Sequence, residues 1–150
     1  MTDHSYIAQN DSERRRLQGL VARLTDQQLA RPLSGGWTVA SVLGHAAFWD
    51  QRILALLDQW KAAGVASSPP SLDEGHVDWI NDSVKPFLLA LPPRQCAELA
   101  VAIADRVDRA VAELPEELRA ANSRAGSPLN LMRAEHRREH LDEIEAALRS

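Results

Sequence analysis

The sequence predicts an all-α protein, a four-helix bundle with a long crossover between its second and third main helices. Three observations carry that expectation. Apolar residues recur three and four apart in long blocks, the spacing of one helix face. Alternation of apolar and polar residues is nowhere sustained, so no sheet is expected. Clusters of Gly, Pro and Ser separate the blocks. With 150 residues the chain has the size of one domain with a real core, and it reads as a single domain over 1–150.

The first helix is expected from about Ser12 to Leu29, with Leu17, Leu20, Val21 and Leu24 at helical spacing. RPLSGGW breaks it, because Pro32 and the Gly35–Gly36 pair favour turns. Thr38 is the expected N-cap of a second helix reaching about Ala62, its hydroxyl taking a free backbone N–H. AAGVASSPPSLDEG is a long polar connection and reads as the crossover. A short helix around VDWINDSVKPFLLAL ends near Pro92–Pro93. The third main helix, about Arg94 to Glu113, stacks Cys96, Leu99, Ile103, Val107, Ala110 and Leu114 on one side. ELPEELRAANSRAGSP is read as a second connection, and the last helix covers about Asn130 to Arg149.

Composition excludes several classes of function. The net charge of −4 offers no basic field for nucleic acid or anionic lipid. No apolar run approaches the roughly 20 residues that span a bilayer, and the first residues lack the apolar core of a signal peptide. The single cysteine, Cys96, forms no internal disulfide and fits a reducing compartment. The expectation is a cytoplasmic protein that binds neither membrane nor nucleic acid.

Histidines on two of the helices carry the functional reading. His136 and His140 stand one turn apart, about 40° apart on the wheel, at the margin of the stripe formed by Leu141, Ile144, Ala147 and Leu148. Their rings lie close enough to share one ion. For an isolated pair, a solvated or core-edge role is the simpler reading. His45 repeats the arrangement on the second helix, beside Val42, Ala46, Trp49 and Ile53. Three histidines so placed can form a set that leaves coordination positions open, as catalytic sites do. His4 and His76 lie in a terminal segment and a connection and are expected at the surface.

HRREH, residues 136–140, matches the inverted zinc-peptidase pattern, with Glu139 in the place of a general base. Only ten residues follow His140, too few to supply the distant ligand. Glu139 is kept as a partner for a histidine N–H. Cys96 lies in an apolar stripe that disfavours a thiolate. Trp37, Trp49, Trp60 and Trp79 are expected as core aromatics.

The chain resembles the DinB-like helical bundles, which share an ancestor with the N-terminal domain of mycothiol-dependent maleylpyruvate isomerase. The resemblance rests on GGWTVASVLGHAAFWD, where a tryptophan opens the helix, a histidine follows eight residues on and a Trp-acidic pair comes after. It rests also on VDWIND after the crossover and on the terminal H-x-x-x-H helix. It implies that His45, His136 and His140 hold a divalent metal ion, with zinc or nickel expected. It further implies a thiol-dependent transferase or isomerase, with a low-molecular-weight thiol cosubstrate and a small-molecule substrate. A metal-dependent hydrolase and a non-catalytic bundle, with or without metal, are the alternatives, and a homodimer is compatible with each.

Arg133 and Arg137 flank His136 at about 60° and 100°, inside the sector that Ile144 and Leu148 fill further along. One explanation is snorkelling, with stems on the core and charges in water. The other is that they line the metal cleft and hold an anionic substrate through paired hydrogen bonds, which makes both arginines substrate-binding candidates.

Overall fold

The computed structural model describes residues 3–150, which are helical with no strand among them. The helices are α1 (Tyr6–Arg23), α2 (Asp26–Leu29), α3 (Val39–Ala63), α4 (Glu74–Ala90), α5 (Pro93–Ala112), α6 (Glu116–Arg124) and α7 (Ala134–Arg149). Helix α3 packs on α5, α5 on α1, α1 on α7, and α7 back on α3. Helix α4 packs chiefly on α3. No described helix is long and apolar enough to cross a membrane.

Several boundaries depart from the sequence expectation, each for a visible reason. The first helix starts at Tyr6, because tertiary bonds hold its polar first turns. The Tyr6 hydroxyl donates to the Val111 carbonyl at 2.7 Å, and the Asn10 amide donates to the Leu131 carbonyl at 2.9 Å. It ends at Arg23 because Leu24 is extended and Thr25 opens α2 with a capping box, Thr25 and Gln28 exchanging side-chain and backbone bonds. The helix expected around VDWINDSVKPFLLAL starts earlier, at Glu74, because Asp73 caps it by accepting from the His76 N–H, and it runs for 17 residues. ELPEELRAANSR is not a plain connection. Pro115 precedes α6, Glu116 and Glu117 occupy its first turn and Arg124 its last, which suits the helix dipole. Leu118 and Ala121 of α6 are buried. On α5, Leu99 is exposed, and the buried stripe runs instead through Cys96, Ala100, Ile103, Ala104, Val107 and Val111.

Small residues let α3 and α5 approach closely. A Cβ on Gly44 would lie 3.3 Å from Cys96 Sγ and 3.0 Å from Leu88 Cδ2. The core has two apolar clusters. One gathers Leu17, Leu20, Leu43, Ala100, Leu141 and Ile144; the other gathers Ile53, Leu57, Trp60, Val107, Val111 and Leu129. Along α3 and α5, Asp50 and Asp108 fall where one cluster gives way to the other, and both are buried.

Candidate metal centre

The site begins with a turn. Gly35 and Gly36 adopt positive φ of 68° and 79°, a region that costs a glycine nothing, and bring Trp37 to the start of α3. Thr38 then caps α3 as its side chain predicts. Its Oγ1 accepts from the Ser41 N–H at 3.1 Å, and the Ser41 hydroxyl oxygen accepts from the Thr38 N–H at 2.8 Å. Two turns later His45 is only 7% exposed, with Trp37 edge-on to its ring at 5.5 Å.

Helix α7 has no side-chain cap of its own. Asn10 takes that role from α1, accepting from the Ala134 N–H at 2.8 Å. Asp50 and Asp108 then fix the helix through its arginines. Arg133 Nε donates to Asp50 Oδ1 at 2.8 Å. Arg137 donates to both oxygens of Asp108, at 2.9 and 3.0 Å, and to Asp50 Oδ2 at 3.2 Å. These arginines therefore do not snorkel to water, and neither lines the cavity beside the histidines; Arg133 borders a separate one with Trp49 and Arg52. Both are buried, at 5% and 3% exposure, in ion pairs that engage Arg133 through Nε and Arg137 through both Nη atoms, while Arg137 Nε has no hydrogen-bond partner. Paired charges at such depth are the form in which burial is tolerable.

Between these anchored helices the three histidines meet. His136 Nε2 lies 3.1 Å from His45 Nε2 and 3.1 Å from His140 Nε2. Ring centroids are 4.6–5.0 Å apart, and one nitrogen from each ring lies within 4.8 Å of the other two. Burial is the main force on their protonation. It pushes His45 down to about 4, helped by His140. It pushes His136 down to about 3, helped by His140, His45, Arg133 and Arg137. His140 is also lowered by burial, against the opposing fields of Glu143 and Glu139. All three rings are neutral near pH 7, the form that donates a lone pair.

The residues fit a cation. A neutral imidazole Nε2 carries one proton or one lone pair, so His136 Nε2 satisfies one of its two close neighbours by hydrogen bonding and not both. With the proton of each ring on Nδ1, three lone pairs converge, and one positive ion satisfies them together. Nδ1 of His45 and of His140 are buried without a hydrogen-bond partner. Glu139 therefore does not orient a ring as the sequence reading expected: its side chain points from an exposed position and acts on His140 through its field alone.

Beside the cluster opens a cleft of about 570 Å3. It is lined by His45, His140, Trp37 and Val42, by Ser34 and Gly35 of the turn, by Asp78, Asn81, Asp82 and Lys85 of α4, and by Glu143 of α7. The tryptophans accordingly divide. Trp60 is a core residue, Trp37 walls the cleft, and Trp49 donates to Asn81 Oδ1 at 2.8 Å. Trp79 is 57% exposed, because it lies on the outer face of α4, away from α3. His4 and His76 lie apart from the cluster, paired with Glu116 and Asp73 at the surface.

Sequence reasoning missed Asp50, Asp108 and Asn10. A signal was present: Asp108 falls in phase with Ala104, Val107 and Val111, and Asp50 with Ala46, Ile53 and Leu57. Two acids in apolar stripes are the counterpart of the two arginines in the stripe of α7. Residues 11–146 match the family model of the mycothiol maleylpyruvate isomerase N-terminal domain. No curated protein and no solved structure matches the chain.

Proposed function

The chain belongs to the mycothiol maleylpyruvate isomerase N-terminal domain family, a DinB-like family, and from that premise we propose that it binds a divalent metal ion and is a thiol-dependent transferase or isomerase. One observation carries the reading: the Nε2 atoms of His45, His136 and His140 converge, with two contacts at 3.1 Å. In this reading α1, α3, α5 and α7 form a four-helix bundle, which their closed cycle of contacts supports.

The three imidazoles would hold a zinc- or nickel-like ion, since neutral nitrogen donors suit such ions. Bound there, the ion supplies Lewis acidity that lowers the pKa of a neighbouring thiol or water. The chain's own residues do the rest. Burial keeps the rings unprotonated, the ion pairs of Asp50 and Asp108 hold α7 against α3 and α5, and the cleft beside His45 and His140 admits a small molecule. That cleft favours an enzyme over a metal used only to join helices, because a structural site is closed.

The test is metal content of untagged protein, followed by thiol titration. Alanine at His45, His136 or His140 should lower bound zinc or nickel strongly, and alanine at His4 or His76 should not. In cobalt-loaded protein, small thiols should produce a thiolate absorption band. Near-stoichiometric metal in His45→Ala would overturn the site, and a silent thiol titration would overturn the thiol chemistry.

A further inference from the structure

A second cavity, of about 380 Å3, opens between α3, the start of α4 and the segment leading into α7. Two guanidinium groups, Arg52 and Arg133, belong to its lining, and no carboxylate does. Arg133 is only 5% exposed. Its Nε donates to Asp50 and its Nη1 to the Asn130 carbonyl at 3.2 Å, while Nη2 has no hydrogen bond with a described residue. That nitrogen is not sealed inside the protein as Arg137 Nε is, so the cavity is where its N–H groups can meet a partner. Arg52 is half-buried on the same wall, with no ion pair or hydrogen bond to a described residue. Its guanidinium lies over the Trp49 ring, 5.6 Å from the centroid, which holds it in place. Burial and the like charge of Arg133 both keep it below its ordinary pKa. The charges beneath do not cancel it. Asp50 and Asp108 balance Arg133 and Arg137, and Asp11 balances Arg14, so the charge of Arg52 is left over. A divalent ion on the histidines would add to that surplus, since the field of Arg133 already reaches His136. Leu72, Val77 and Pro128 give the same cavity half-buried apolar surface.

We propose that this cavity binds a small monocarboxylate, its oxygens between Arg52 and Arg133 Nη2 and its apolar body on Leu72, Val77 and Pro128. One negative charge matches the one surplus positive charge, and a planar carboxylate suits guanidinium donors. The site is separate from the cleft beside the histidines, and it does not rest on the metal–thiol reading.

The test compares benzoate, benzamide and benzylammonium, which share a body and differ in charge. Calorimetric titration of chelator-treated protein should show benzoate binding tightest, and added salt should weaken it. Benzoate should shift the Arg52 Nε–H resonance saturably and leave the Trp37 indole resonance, which reports the other cleft, in place. Arg52→Gln should weaken benzoate about tenfold, the least that losing a hydrogen bond to a charged group costs, and leave benzamide unchanged. Arg52→Lys should weaken it less, because the charge remains without the fork. Loading zinc should keep or strengthen benzoate binding at the same resonance. Benzoate that binds only metal-loaded protein and shifts only Trp37 is a ligand of the ion, and that result would overturn the inference. So would equal affinity for benzamide or benzylammonium, or an unchanged affinity for benzoate in Arg52→Gln. Inorganic phosphate binding more tightly than benzoate would overturn the assignment to a monocarboxylate.

Discussion

Arg137 and Asp108 face each other as a two-pronged pair inside the protein, Nη1 to Oδ2 at 2.9 Å and Nη2 to Oδ1 at 3.0 Å, with side chains 3% and 2% exposed. Each has a further partner: Arg137 reaches Asp50, and Asp108 accepts from Arg14 at 3.0 Å. Such a pair contributes little relative to a well-packed apolar substitute, yet breaking it strands a charge. Asp108→Ala should therefore destabilise the protein by about 3–5 kcal/mol, a large share of the total for a domain of this size. Adding Arg137→Met should recover part of the loss. Urea unfolding of the two single variants and the double variant checks this, and strict additivity would contradict it.

Asp50 is expected to matter to the metal more than to the helix that carries it. It lies five residues beyond His45 and grips Arg133 and Arg137, which bracket His136. Asp50→Asn should lower zinc affinity by about tenfold, the lower end of what loss of an orienting partner costs. A competition assay against a chromogenic chelator measures it, with His76→Ala as the unaffected control.

Chelator-treated protein should lose stability on acidification through its histidines. His45 and His136 are held at about 4 and about 3, against the usual 6.5. Below pH 6.5 the unfolded chain takes up protons that the folded chain refuses, so stability is full above that pH. It falls as pH drops towards 4 and levels off once the folded rings also protonate. The Tm of the metal-free parent should fall more steeply over this window than that of His136→Gln. Parallel slopes would be inconsistent with neutral buried rings.

Gly44→Ala weighs two effects against each other. Alanine gains about 0.8–1.0 kcal/mol of helix propensity over glycine. The new methyl group meets Leu88 and Cys96 at 3.0 and 3.3 Å, and overpacking of that kind costs about 1–3 kcal/mol. The expected net result is a modest destabilisation, read as a lower Tm. An increase would mean that Leu88 swings aside freely.

The histidine helices were legible because each rests on local periodicity. Apolar spacing placed α3 and most of α5 and α7, and Thr38 marked the start of α3. What escaped was held by partners distant in sequence. The first turns of α1 are polar and depend on Val111 and Leu131, and α6 is short and bounded by prolines and glycine. Arg133 and Arg137 were rightly placed in the buried sector, but their partners lie on α3 and α5. No single-helix wheel finds them, and so the sequence leaves both snorkelling and substrate binding open for these arginines.

The attachment of α4 to α3 has a consequence of its own. The three histidines belong to the closed cycle of long helices, whereas Asp78, Asp82 and Lys85 ride on a segment that packs chiefly on one neighbour. A local opening of α4 would break that seam, the contacts of Lys85 with Gly35 and Trp37, and the Cys96–Leu88 contact to α5, leaving the ionic layer and the histidine cluster whole. Amide exchange should therefore be faster along α4 than along α3 or α7. The wall of the cleft can breathe, admit and release, or drift in sequence, while the part that would hold the ion stays as it is.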